Sequence, residues 1–99
     1  MYELSYKLNN MEKRQQLEAI DKMLRELEDI KNSQAALLKK VSQVEAENIN
    51  VGVALLDKEL PDIHEVADAN LDHLSQVLEK LQVHREEFVK KHKLDVVEA

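Results

Sequence analysis

Four histidines and twenty carboxylate side chains are the groups in this 99-residue sequence whose types fit metal binding or acid–base catalysis. A dinuclear metal site in a helical bundle needs Glu-x-x-His motifs with further glutamates projecting inward. The residues three positions before the four histidines are Pro61, Asn70, Leu81 and Val89. The motif is therefore absent, and a pair such as His64 with Asp68 has a spacing that any acidic helix produces by chance. The sequence predicts no bound metal and no cofactor.

The sequence also lacks the motifs of nucleophilic catalysis and phosphate binding. Its four serines follow helical or strand patterns, without the strand–turn–helix motif that exposes a nucleophile. A single glycine cannot form a glycine-rich phosphate loop, and the absence of cysteine excludes thiolate ligands and disulfides. With one Phe, two Tyr and no Trp, the core is aliphatic and suits close packing rather than a ligand pocket. We therefore expect no catalytic residues and no enzymatic activity.

The charge of the chain is −6, from 14 basic and 20 acidic residues. Residues 61–84 contain five acids against Lys80 alone, so four of the six net negative charges lie in one segment. A protein that contacts phosphates needs a basic surface. The balance of charge therefore argues against nucleic acid as a partner.

Three acids in that segment form a stripe. Glu65, Asp68 and Asp72 follow a 3-4 spacing, which places them on one face of a helix. This acidic stripe is a candidate surface for binding a basic protein. The simpler interpretation is a solvated face near the start of a helix, where the helix dipole favours negative charge, and we weigh it above the docking surface.

The clearest helical pattern follows in the N-terminal half. Leu17, Ile20, Leu24 and Leu27 have the 3-4-3 spacing of a coiled-coil seam. Beyond them we interpret the seam as slipping by one residue and continuing through Ile30, Gln34, Leu37, Val41, Val44 and Asn48. Such a slip is a local irregularity of the coiled coil. It coincides with Asn32–Ser33, a pair that could cap or kink the helix. The polar Gln34 and Asn48 either lie at the edge of a loosely drawn seam, the simpler interpretation, or help to fix its register.

The only proline marks the predicted bend. Proline disfavours helical geometry at the preceding residue and suits the first turn of a new helix, so we place the bend at Leu60–Pro61. This divides a single domain, residues 1–99, into helix 1 over 10–59 and helix 2 over 62–93.

The ends and the region around Gly52 allow more than one interpretation. The N-terminal arm, 1–9, alternates apolar and polar residues over 2–8, which fits a short strand as an alternative to a helical extension. Residues 49–56 also fit either strand or helix. Helix is favoured there, although Gly52 would cost about 1 kcal/mol in a helix interior. Residues 94–99 are expected to be a frayed tail.

The unequal helix lengths suggest assembly. At 1.5 Å per residue, helix 1 would be about 75 Å long and helix 2 about 50 Å, so residues 10–27 would overhang. Leaving their apolar seam in water would forfeit several kcal/mol of burial. We therefore expect a second copy of the chain to cover Leu17, Ile20, Leu24 and Leu27, giving a homodimer with a helical bundle. The alternatives are a different protein chain, or a break at Asn32–Ser33 that yields a monomeric three-helix bundle.

The sequence as a whole predicts an all-α fold, a long helical hairpin or coiled coil that dimerises. Its expected function is non-enzymatic: a self-associating protein–protein interaction module that serves as a structural or adaptor component. The alternative is a small regulator or inhibitor that binds a basic or nucleic-acid-binding protein through its acidic face. No run of about 18 apolar residues is present, so we expect no membrane span and a cytoplasmic location.

Overall fold

The protein is a two-helix antiparallel hairpin. The computed structural model describes the backbone of residues 2–95 and the side chains of residues 12–95. Helix α1 runs over Tyr2–Val51 and helix α2 over Ala54–Lys91. Together they form a rod with dimensions of 71 × 25 × 15 Å. The prediction of an all-α helical hairpin is confirmed.

The chain reverses at Gly52 and Val53, so the bend predicted at Leu60–Pro61 is wrong. Gly52 has a φ of +73°, a left-handed conformation that glycine adopts without steric cost. Its amide donates a 2.7 Å hydrogen bond to the carbonyl of Asn48, which closes the end of α1. Val53 is extended and begins α2 directly. The predicted helix boundaries, 10–59 and 62–93, shift accordingly. Within 49–56, residues 49–51 end α1 and residues 54–56 begin α2, so the stretch is helical, as favoured from the sequence, except for the turn at Gly52 and Val53.

The side chain of Asn48 holds this turn together. Asn48 is only 5% exposed, and its Oδ1 accepts a 2.8 Å bond from the amide of Val53. Its Nδ2 donates to the carbonyl of Val53 and, at 2.7 Å, to Oδ1 of Asp57 in the first turn of α2. One amide group therefore joins the end of α1 to the start of α2 and satisfies a backbone donor that would otherwise lack a helical partner.

Pro61 lies inside α2 and does not end it. Because it has no amide hydrogen, the helix loses one hydrogen bond there, at a cost of about 3 kcal/mol. The turn at Gly52, however, lets α2 run back along α1 as far as its apolar N-terminal half. Burying even part of four Leu or Ile side chains is worth more than that cost, since each is worth about 1.5–3 kcal/mol when fully buried. Packing therefore outweighs the local preference of proline.

The two helices meet along one continuous seam with unbroken 3-4 spacing. On α1 the seam positions, all buried or half-buried, are Leu17, Ile20, Leu24, Leu27, Lys31, Gln34, Leu38, Val41, Glu45 and Asn48. On α2 they are Leu60, His64, Ala67, Leu71, Leu74, Leu78, Leu81, Arg85, Phe88 and His92. The slip predicted after Leu27 is therefore wrong: the seam continues through Lys31, a polar residue that hid it, and α1 passes Asn32–Ser33 without a break.

The two ends of the hairpin also differ from the predictions. The strand considered for residues 2–8 is not found, because the backbone there belongs to α1. A lone strand would leave its backbone groups unpaired, whereas a helix pairs them internally. At the other end, α2 closes with bonds from Lys93 to Lys90 and from Leu94 to Val89, and Lys93 takes the positive φ of 52° that this cap requires. The predicted frayed tail, 94–99, lies largely outside the described residues.

The position of Pro61 gives a first test of the fold. Replacing an exposed proline inside a helix by alanine restores a backbone hydrogen bond and a good helix former, so Pro61→Ala should raise the free energy of unfolding by about 1–3 kcal/mol. Urea denaturation measures the free energy of unfolding of the variant and the wild type, with the exposed Lys58→Ala as control. A loss of stability in Pro61→Ala would indicate instead that the chain bends at this residue.

The Asn48 network gives a second test. Asn48→Ala removes three hydrogen bonds around the turn, and we expect it to lower the free energy of unfolding by about 2 kcal/mol or more. The matched control is Asn50→Ala, since Asn50 is an exposed asparagine in the same helical turn. Equal unfolding midpoints for the two variants would contradict the role assigned to Asn48.

Candidate interaction surface

The apolar residues proposed from the sequence as an oligomer interface lie within the seam of the hairpin. Leu17, Leu24 and Leu27 are half-buried, and Ile20 is 7% exposed. Helix α2 of the same chain covers them, because Arg85 of α2 binds Asp21, beside Ile20. A second copy of the chain is therefore not needed to cover these residues, contrary to the expectation from the sequence.

The acidic stripe is exposed. Glu65, Asp68 and Asp72 all face solvent, and Asp72 accepts a 2.9 Å bond from the side chain of Gln76 in its own helix. Within the described part of the chain, no basic side chain forms an ion pair with any of the three. The stripe is therefore open to a partner, as it would also be on a plain solvated face.

A second exposed surface, the apolar flank, follows one side of the hairpin. Its residues on α1 are spaced by seven: Met23, Ile30, Leu37 and Val44, which are 41–47% exposed, and Val51 beside the turn, which is 73% exposed. Its apolar residues on α2 are Ile63, Val66 and Val77, of which Val66 is 60% exposed. Isolated exposed apolar residues are ordinary, but a contiguous row along two neighbouring helices makes this flank a candidate interaction surface.

Two adjoining cavities show that the flank is a shallow groove between the helices. One, of about 360 Å³, has Leu37 of α1 opposite Ile63 and Val66 of α2. The other, of about 370 Å³, has Ile30 opposite His73 and Val77. Both cavities are also lined by Gln34 and Asn70, which therefore lie where the two meet, near the middle of the flank.

The opposite flank of the hairpin is largely polar. Positions at the same seven-residue spacing there are occupied by Asp21, Glu28, Ala35, Ser42 and, beside the turn, the exposed Ile49 on α1, and by Pro61, Asp68, Ser75, Gln82 and Val89 on α2. Asp68 belongs to the acidic stripe, so the stripe and the apolar flank occupy different sides of α2. This asymmetry matters because a two-helix hairpin needs only its seam to be apolar, whereas a helix in a larger bundle carries an additional apolar row on one side.

Side-chain bonds between the helices fix their register. Arg85 Nε donates to Asp21 Oδ1, and Arg85 Nη2 donates to Oδ2 at 3.3 Å. The hydrogen bond from Arg85, together with its positive charge, lowers the pKa of Asp21, although partial burial opposes the shift. Nearer the turn, His64 Nδ1 donates to Glu45 Oε1 at 2.6 Å.

The ring of His92 lies beside Phe88 at the open end of the hairpin, with centroids 4.6 Å apart. Burial, followed by the nearby charges of Lys13 and Lys91, lowers the pKa of His92. The surroundings of His92 at the open end of the hairpin therefore favour the neutral form of its imidazole.

The sequence reasoning missed the apolar flank, although its signal was present. Ile30, Leu37 and Val44 were assigned to the seam itself, because they continue the apolar pattern where Lys31 interrupts it. Two parallel rows with seven-residue spacing would have separated the flank from the seam. The flank row is Met23, Ile30, Leu37, Val44 and Val51, and the seam row lies at 20, 27, 34, 41 and 48.

Over residues 12–95, no group of three or more His, Asp or Glu side chains is placed to hold a metal ion. Neither helix, over the residues described, contains a stretch long and apolar enough to cross a membrane.

The fold and surfaces define the chain as an all-α antiparallel hairpin with one apolar flank. Comparisons with protein-family models, curated proteins and solved structures give no match. Functional conclusions therefore depend on the physical properties of the surfaces.

The bond between Asp21 and Arg85 predicts an acid-dependent loss of stability. Because folding lowers the pKa of Asp21, the ionised carboxylate stabilises the folded state at any pH above the unfolded value of about 3.9. That contribution disappears as the pH falls through the lower, folded pKa. Urea midpoints measured from pH 7 to pH 2 should therefore fall less steeply at the acid end in Asp21→Asn than in the wild type.

The matched control for this measurement is Asp29→Asn, an exposed acid on α1. It should retain the acid dependence of the wild type. Identical profiles for Asp21→Asn and the wild type would contradict the contribution of the ion pair.

Proposed function

We propose that this protein is a non-enzymatic protein–protein interaction module that associates with itself and acts as a structural or adaptor component. The observation that carries the proposal is the apolar flank, a row of half-exposed aliphatic side chains along both helices and on one side only. The row would form a coiled-coil-like contact with helices outside the hairpin, so the proposed interface differs from the seam residues named from the sequence.

The size of the flank supports a stable association. From Met23 to Val51 it extends about 42 Å at 1.5 Å per residue, and two helices side by side are about 20 Å wide. The resulting face of about 800 Å² equals the area that each partner contributes to a standard specific interface. Its aliphatic side chains, interrupted by a few polar ones, are also typical of such interfaces.

A pair of charged substitutions tests this function. Leu37→Glu with Ile63→Glu places two carboxylates in the centre of the flank of each copy, where association would bury them without partners. Both positions are exposed and glutamate favours helix, so the hairpin should remain folded by circular dichroism. Sedimentation equilibrium should show a dimer for the wild type and a dissociation constant about 100-fold weaker for the variant.

The matched control is Ala35→Glu with Gln82→Glu, which adds the same charge at exposed positions of the polar flank. It should leave the dissociation constant unchanged. A wild-type chain that stays monomeric at tens of micromolar would overturn the proposal, as would equal weakening by both variants.

The acidic stripe supports a second candidate function, binding of a basic or nucleic-acid-binding protein by a small regulator. The stripe is exposed and lies away from the apolar flank, so both surfaces would be available at once. Glu65→Lys with Asp68→Lys separates the two functions: this candidate requires the variant to keep its dimer mass while losing a basic partner. The cytoplasmic location expected from the sequence stays a prediction.

A further inference from the structure

We infer that the occupant of the apolar flank is a second copy of this chain, packed face to face and antiparallel, with a twofold axis near Gln34 and Asn70. The result is a four-helix bundle in which the turn of each hairpin lies beside the open end of the other. This inference rests on the proposed function and specifies its partner and geometry.

The polar pair at the centre of the flank is the first observation. Gln34 Oε1 is buried, and within the described residues it has no hydrogen-bond partner. A buried amide oxygen without a donor is costly, and such atoms are rare in native proteins. Gln34 and Asn70 line the same two cavities, so a second copy placed over them sets its own polar pair at the same level of the rod.

The symmetry of the flank about this pair is the second observation. Two contacts fix which residues of the helices lie opposite each other: Asp21 with Arg85, and Glu45 with His64. Because both helices rise 1.5 Å per residue, interpolation between these contacts places Asn70 opposite about residue 37 of α1. Leu37 is also the midpoint of the α1 row, which runs from Met23 to Val51, and Asn70 is the midpoint between Ile63 and Val77. A twofold axis at this level therefore matches apolar residues with apolar residues along the whole flank.

The direction of packing follows from charge. Residues 41–68, around the turn, contain seven acids and Lys58 as the only base, for a net charge of −6. The open end, residues 12–31 and 79–94, contains nine acids and ten bases, for a net charge of +1. A parallel dimer would place the two turn ends of charge −6 side by side. The antiparallel dimer places each turn end beside the open end of the other copy. The electrostatic preference for the antiparallel dimer should weaken as salt screens these charges.

Distances between spin labels on introduced cysteines test the geometry directly, because the natural chain contains no cysteine. Asn50→Cys and Ala36→Cys are both exposed positions, on the side of α1 away from the seam. In the antiparallel dimer the two labels at position 50 lie about 40 Å apart along the rod, at 1.5 Å per residue. The two labels at position 36, close to the axis, are separated only by the width of the bundle, about 20 Å.

The outcomes separate this inference from the proposed function. A long distance at position 50 with a short one at position 36 supports the antiparallel dimer. Short distances at both positions identify a parallel dimer, which overturns the inference while self-association stands. A monomeric mass overturns both.

A variant of the central pair tests its role in register. Gln34→Leu with Asn70→Leu should keep the dimer, tighten it at least tenfold, and broaden the distance distribution at position 50, because polar residues in an apolar interface cost affinity and specify alignment. An unchanged, narrow distribution in this variant would overturn the assignment of register to Gln34 and Asn70.

Discussion

The place where the chain reverses is the constraint on which the rest of this structure depends. Gly52 takes a left-handed backbone conformation that glycine adopts at the least steric cost, and Asn48 ties the end of α1 to the start of α2 through three side-chain hydrogen bonds. Once the turn is fixed there, every residue of α2 lies opposite a defined residue of α1. That register determines which apolar side chains become seam and which remain on the flank.

The seam contains more polar residues than a stable hairpin requires. Lys31 and Glu45 on α1 and His64 and Arg85 on α2 occupy positions where leucine would pack better. Glu45 and His64 bond to each other across the helices, and Arg85 bonds to Asp21 beside the seam; such contacts specify alignment at some cost in stability. The apolar surface of the chain is instead divided between the seam and a second row that faces outward.

The general architecture was predictable from the sequence, and the position of its turn was not. Helical periodicity and the scarcity of glycine and proline are sufficient for an all-α hairpin. Local rules favoured Pro61 as the bend, because they take no account of how much apolar surface each alternative buries along the full length of the rod. The same limitation hid the flank: Lys31 interrupted the true seam, and Ile30, one position away, offered a plausible continuation. The acidic stripe was correctly expected to be a surface feature, since charge alone makes that outcome favourable.

A hairpin with one turn and one seam also has a defined order in which its contacts can close. The contact between Asn48 and Asp57 closes a loop of nine residues, whereas the contact between Asp21 and Arg85 spans 64. Formed directly from the unfolded chain, the longer loop would cost about 1.7 kcal/mol more in chain entropy. Once the turn is in place, each further pair along the rod closes only a short additional loop. We therefore expect folding to proceed from Gly52 toward the termini, so that the open end is the last part of the rod to form and the first to separate.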